Sequence, residues 1–203
     1  MEDVPNWFGS YTSPSGSAGI YPAGQLQKLV TVDEHGKQVI EFRDKSGRTI
    51  LKKVQLTALP DTGAGKGHTG WLCTYYIYDN LGNLRCVVPP RVVYLIRANW
   101  LLTNATYLHE FCFRYEYDEK NRMIAKKVPG AGRVLMIYDA RDRLVMVQDS
   151  LMRSSAQKKW LYTKYDDLNR PIITGFITDN TNYNNASYHR LRADTSISYP
   201  NVS

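Results

Sequence analysis

A four-residue pattern that returns six times constrains this chain more than any other feature. Aspartate opens it, two variable residues follow, and glycine, asparagine or aspartate closes it, with a basic or amide residue next. The copies begin at Asp33 (closing on Gly36, then Lys37), Asp44 (Gly47, Arg48), Asp79 (Gly82, Asn83), Asp118 (Asn121, Arg122), Asp139 (Asp142, Arg143) and Asp166 (Asn169, Arg170). Aspartate at the first position of a type I turn accepts hydrogen bonds from the backbone N–H groups ahead of it. The fourth position must reach positive φ to rejoin the strands through a bulge, which glycine does freely and Asn or Asp tolerate. The restriction of that position to these three residue types predicts six β-hairpin turns. Tyrosine stands immediately before the aspartate in four copies: Tyr78, Tyr117, Tyr138 and Tyr165.

The flanks carry strand patterns. Residues 26–32, 37–42 and 48–55 read as a three-strand meander, and 75–78 pairs with 83–88. A second meander runs through 111–117, 122–128, 133–138 and 143–148, with Pro129, Gly130, Ala131 and Gly132 as its middle turn. A last hairpin joins 160–165 to 171–177. In 133–138, Val134, Met136 and Tyr138 share one face while Leu135 and Ile137 take the other, which predicts a strand covered on both sides. In 113–117, Phe113, Tyr115 and Tyr117 oppose Arg114 and Glu116, the alternation of a half-buried strand. Only 91–110 reads as helical: two short helices joined near Asn99 and Trp100, with Thr103 as the cap of the second. The loop from Leu59 to Gly70 reads as a flexible connection, 151–157 as a polar linker, and 179–185 as mobile. Three regions follow: an irregular lead-in over 1–25, a hairpin domain over 26–177, and a polar, mobile tail over 178–203.

Composition narrows the function. Aromatic residues make up 12% of the 203 residues, which excludes general disorder. Apolar runs stop at five residues, as in Val92 to Ile96, far short of the roughly 20 of a membrane helix. Met1 is followed by Glu2, Asp3 and Pro5, so no signal peptide is read in this chain. The net charge of +7 is spread in ones and twos; with no basic patch, no nucleic-acid partner is expected.

The chemistry-bearing residues do not assemble into a motif. Asp61 to Gly70 superficially resembles a phosphate loop, but Pro60 and Gly67 stand where a P-loop needs glycine and Ser or Thr. His35, His68, His109 and His189 lack metal-ligand spacing. The six turn aspartates occur one per loop and do not converge as calcium ligands would. Cys73, Cys86 and Cys112 read as reduced, buried thiols, a Cys73–Cys86 bridge across their hairpin being the less favoured alternative. Sequons at Asn104, Asn185 and Asn201 would matter only in a eukaryotic secretory pathway. No catalytic residue, metal ligand or cofactor is assigned.

The segments Tyr76 to Leu84 and Tyr115 to Met123 resemble the YD repeat of the RHS (rearrangement hotspot) family, whose signature is Tyr-x-Tyr-Asp-x-x-Gly-Arg-Leu. The copies at Tyr138-Asp139 and Tyr165-Asp166 match it less fully, the copy at Asp44 lacks the tyrosine, and that at Asp33 keeps the turn alone. The wording at Gly67 to Trp71 and Lys126 to Gly130 is similar to that of RHS-repeat proteins of Bacteroidetes-type bacteria. The resemblance implies a mainly β fold of consecutive antiparallel hairpins in a curved, spiralling sheet, with the short helical insertion near 91–110. It implies an exported polymorphic-toxin or surface protein, secreted or at the cell surface, whose hairpin shell encloses a C-terminal effector. Family members that close the shell use Asp-Pro-x-Gly motifs able to self-cleave; this chain has no Asp-Pro. The expected function is therefore a structural, non-enzymatic segment of the shell. Its partners would be the rest of the shell and the enclosed effector, with homodimerisation through edge strands expected of an isolated piece. The alternative is a carbohydrate or cell-surface binding module using exposed tyrosine and tryptophan, with Trp71, Trp100 and Trp160 as its stacking residues.

Overall fold

The computed structural model describes residues 5–6, 19–21, 23–65, 67–98, 100, 102, 104–154, 156 and 158–201. Most of the lead-in lies outside them; its described part is a two-residue antiparallel bridge between β1 (Pro5–Asn6) and β2 (Gly19–Ile20). Eleven further strands, β3 to β13, form an open antiparallel sheet in which each strand's neighbours in space are its neighbours in sequence. The fold is mainly β, with few short helices.

Contacts divide the chain into two compact units, Met1–Arg114 and Tyr115–Ser203. In the first, β3 (Gln27–Val32), β4 (Gln38–Arg43), β5 (Thr49–Gln55), β6 (Trp71–Tyr78) and β7 (Leu84–Val88) pair in order. Their buried side chains, including Ile40, Phe42, Leu51, Tyr75, Ile77 and Val88, form one core. The expected helical insertion lies over it as α1 (Pro90–Ile96) and a single π-helical turn, Tyr107–Phe111. Pro90 suits the first helical position because its ring presets φ and its missing N–H has no partner there anyway. Val92, Val93 and Ile96 point into the core at helical spacing. Thr103, expected to cap the second helical piece, lies outside the described residues; the Oδ1 of Asn104 accepts from the N–H groups of Thr106 and Tyr107 instead.

The loop read as a flexible connection is tied down. Lys53, fully buried, donates to the carbonyls of Gly65 and Gly67, each at 2.6 Å. Gln38 exchanges two hydrogen bonds with the backbone of Asp61, and Lys28 pairs with the Asp61 carboxylate. Gly70, at φ +79°, sits where a Cβ would come within 2.5 Å of the Ala58 nitrogen, so this close approach admits only glycine. Sequence alone misses these ties because each joins a long side chain to a group far along the chain, which leaves no periodic signal.

β8 (Phe113–Tyr117) begins in the first unit and ends in the second, where β9 (Met123–Lys127), β10 (Val134–Tyr138), β11 (Leu144–Gln148), β12 (Lys159–Tyr165) and β13 (Pro171–Thr178) continue the same order. The polar linker contains α2 (Ser150–Arg153), capped by the Asp149 carboxylate. The region read as a mobile tail instead carries α3 (Ala186–Ala193), capped by Asn185 and packed against β10. Its His189 and Ala193 are buried with Trp160, Ile137 and Leu135. A helix that buries histidine and alanine has little apolar periodicity, and for that reason it reads as polar.

Candidate functional site

The six turns have one construction. In each, the first oxygen of the aspartate accepts the N–H groups two and four residues ahead, as Asp139 does from Arg141 (2.9 Å) and Arg143 (3.0 Å). The fourth residue lies at positive φ in every copy, from 60° at Asn121 and Asp142 to 87° at Gly82. Where arginine follows, its Nε donates to the second carboxylate oxygen at 2.7 Å, as at Arg48, Arg122, Arg143 and Arg170.

The tyrosine before the next aspartate completes the arrangement. Tyr78 lies beneath the Arg48 guanidinium, Tyr138 beneath Arg122 and Tyr165 beneath Arg143, at 5.0–5.2 Å from ring centre to guanidinium carbon. Each of these tyrosine hydroxyls donates to the carbonyl of the residue after that arginine: Thr49 (3.2 Å), Met123 (2.9 Å) and Leu144 (2.9 Å). Arg122 and Arg143 also reach the following turn, bonding Asp142 Oδ1 (2.7 Å) and Asn169 Oδ1 (3.1 Å). Aspartate, arginine and tyrosine thus form a rung that joins one hairpin to the next. The rung explains why Tyr and Asp are adjacent in the repeat: the Asp builds its own turn while the Tyr grips the turn before.

Electrostatics follow the geometry. Burial alone would raise the Asp44 carboxyl, but its bonds to Arg48 and Ser46 outweigh that and hold it below the usual range. Burial, and then the neighbouring Asp118 charge, push the Tyr138 phenol up. Where arginine is replaced the rung changes. Lys37 donates to the Leu56 carbonyl, and the next turn, at Asp44, is preceded by Arg43 rather than tyrosine. Asn83 bonds Asp79 at 3.3 Å through its amide, and Arg85 stands 3.7 Å from the same carboxylate.

No protein-family model matches the chain, and no curated protein matches it. Solved structures do. A crystal structure of TcdB2-TccC3 matches with a TM-score of 0.53 at 18% identity, covering 75% of this chain and 8% of that one. TcdB2-TccC3-TEV matches with a TM-score of 0.53 at 16% identity, again over 75% and 8%. A Photorhabdus luminescens Tc holotoxin pore matches with a TM-score of 0.50 at 19% identity, over 73% and 6%. The chain has an RHS-like β fold. It spans under a tenth of the length of the chains it matches, so the likeness is one of architecture.

Within this RHS-like fold His35 and His109 are exposed, while the tryptophans, His189 and the cysteines are taken up by packing. Trp160 is fully buried and its indole N–H donates to the Tyr183 carbonyl at 3.1 Å. Trp71 lies under Lys53, and Trp100 packs against Tyr75 and His68. The three tryptophans named as sugar-stacking residues therefore face protein groups; aromatic residues on strands serve the next layer here. His189 Nε2 donates to the Asn182 carbonyl (3.2 Å), so its Nδ1 accepts from the Tyr199 hydroxyl (2.7 Å). Burial pushes the Tyr199 phenol up to about 12.

All three cysteines are free and buried. Cys86 lies opposite Ile77 across its hairpin rather than near Cys73, and its thiol neighbour is Cys112. Burial pushes the Cys73 thiol up to about 11 despite the nearby Lys53, which suits a packed thiol rather than a nucleophile. Among the described residues no group of three or more His, Cys, Asp or Glu is placed to hold a metal ion, and no helix is long and apolar enough to cross a membrane.

Proposed function

We propose that this chain is a structural, non-enzymatic run of hairpins from the wall of an RHS-type exported toxin or surface protein, where it joins the rest of a shell around an effector. The observation that carries the reading is the rung. Its charged and aromatic side chains, the ones a catalytic or ligand site would use, are spent on linking consecutive hairpins. The fold shared with Tc toxin chains supports the same reading. On this account each hairpin extends the wall by two strands, and the rung sets the register of each addition.

The test is to purify the natural full-length product that contains these residues and image it by electron cryomicroscopy. A hollow particle with these hairpins in its wall is the expected result. A solid particle, or one in which these strands line a substrate pocket, would overturn the proposal.

A further inference from the structure

The arginine of the last turn differs from its counterparts in one respect. Arg122 and Arg143 keep 13% and 9% of their side-chain surface exposed, whereas Arg170 keeps 71%. All three make the same 2.7 Å bond to their own aspartate. What Arg170 lacks is the next strand. β10 brings Tyr138 over Arg122 and β12 brings Tyr165 over Arg143, but among the described residues no strand pairs with the outer edge of β13.

The filled rungs specify what would fill this one. In each, the tyrosine hydroxyl donates to the carbonyl one residue after the arginine, and here that residue is Pro171. Proline retains its carbonyl and is tolerated as the first residue of an edge strand. Beyond it, Ile172, Ile173 and Phe176 are exposed along β13. Adjacent Ile172 and Ile173 point to opposite faces, so both faces of this edge remain to be covered. The described residues that follow β13 leave the edge, since α3 packs against β10.

We infer that the outer edge of β13 is a docking site for an antiparallel strand ending in Tyr-Asp. The tyrosine ring lies on the Arg170 guanidinium, its hydroxyl donates to the Pro171 carbonyl, and the turn behind it offers a side-chain or backbone oxygen to Arg170. This rests on the reading of the chain as part of a hairpin wall and names the partner that the wall requires at this edge. A second copy does not supply it. The opposite edge, β3, ends in Val32 where the rung needs tyrosine, and the β13 of a second copy would bring Thr178 to Arg170.

The probe is a synthetic peptide of residues 134–143, which carries a strand, Tyr138 and the Asp139 turn, titrated into the isotope-labelled chain. The expected result is shifted and exchange-protected amides along 172–178. Affinity should weaken about fivefold, the worth of one neutral hydrogen bond, when the peptide's tyrosine is changed to phenylalanine. Arg170→Ala in the chain should weaken it further, and Arg170→Lys, which keeps the charge without the planar face, should fall between. No change at β13 at millimolar peptide, or binding indifferent to both substitutions, overturns the inference. So does self-association that protects β13 and is abolished by Val32→Lys, which would make a second copy the occupant. A hollow full-length particle with β13 unpaired would sink this inference and leave the wall reading standing. A solid particle would sink the wall reading whatever the peptide does.

Discussion

The first unit is covered by segments inserted between its strands: the loop over residues 56–70 between β5 and β6, and α1 with the π turn between β7 and β8. The second is covered from beyond its last strand, by residues 179–201. There α3 packs on β10, and the chain then runs along the hairpin tips. Asp194 pairs with Lys120 (2.9 Å) and Arg122 (3.0 Å), Ser196 accepts from the Ala140 N–H, and Ile197 accepts from Arg143. The first unit ties its cover with buried lysine, the second with the arginines that already build the rungs. Covers are where the repeats differ; the turns agree in all six copies, and the rung forms where arginine follows one turn and tyrosine precedes the next.

The largest effect that would sharpen this contrast comes from the second core. Trp160→Ala removes the largest fully buried side chain and leaves the Tyr183 carbonyl without its indole donor. A loss of about 3–5 kcal/mol is expected by denaturant titration, with amide exchange accelerating first in residues 115–201. Uniform acceleration in both units would break the division.

Next comes the arginine pair. Arg143→Ala strips a fully buried carboxylate, Asp139, of its cation and frees the Ile197 carbonyl. Roughly 3 kcal/mol should be lost. Arg170→Ala, at an exposed turn with the same local bonds, should barely move the unfolding midpoint. Equal effects would mean that the rung adds nothing to the turn.

Lys53→Met probes the other cover. The loop carbonyls of Gly65 and Gly67 lose their shared donor, so a loss of roughly 2–3 kcal/mol is expected, with proteolytic nicking in residues 58–70. An intact loop in that variant would contradict the ties described.

What sequence showed and missed follows the same line. The hairpins were legible because the turn is local chemistry: one aspartate, one residue at positive φ and a fixed spacing repeat at Asp33, Asp44, Asp79, Asp118, Asp139 and Asp166. The rung was half legible. Tyrosine stood before four of the aspartates, but its grip on the preceding turn spans 16 residues from Arg122 to Tyr138 and more elsewhere, and such a contact exists only once strands are paired. The covers were not legible. Charge spread in ones and twos gives no sign that Lys53 is buried, and α3 reads as a polar tail, because the ammonium is satisfied by the Gly65 and Gly67 carbonyls and the imidazole by the Asn182 carbonyl and the Tyr199 hydroxyl, which no local pattern announces.

The smallest effect expected is a pH dependence confined to the second cover. Burial holds the His189 imidazole below its ordinary value, so the folded state prefers it neutral. The unfolded chain, titrating near 6.5, binds the proton more readily. Stability from this group is therefore complete above about pH 6.5 and declines as pH falls below it, until the folded-state value is passed. His189→Gln should flatten that slope in a urea series between about pH 7.5 and 5.

The claim that the rung, and not the isolated turn, joins hairpin to hairpin is tested most directly by a double-mutant cycle between Arg143→Ala and Tyr165→Leu, which removes the ring together with its hydroxyl. These residues meet through a ring face at 5.0 Å, and the tyrosine hydroxyl bonds the Leu144 carbonyl next door. A coupling of about 1 kcal/mol is predicted. Additivity to within about 0.3 kcal/mol would show that the two side chains act alone, and would contradict the account.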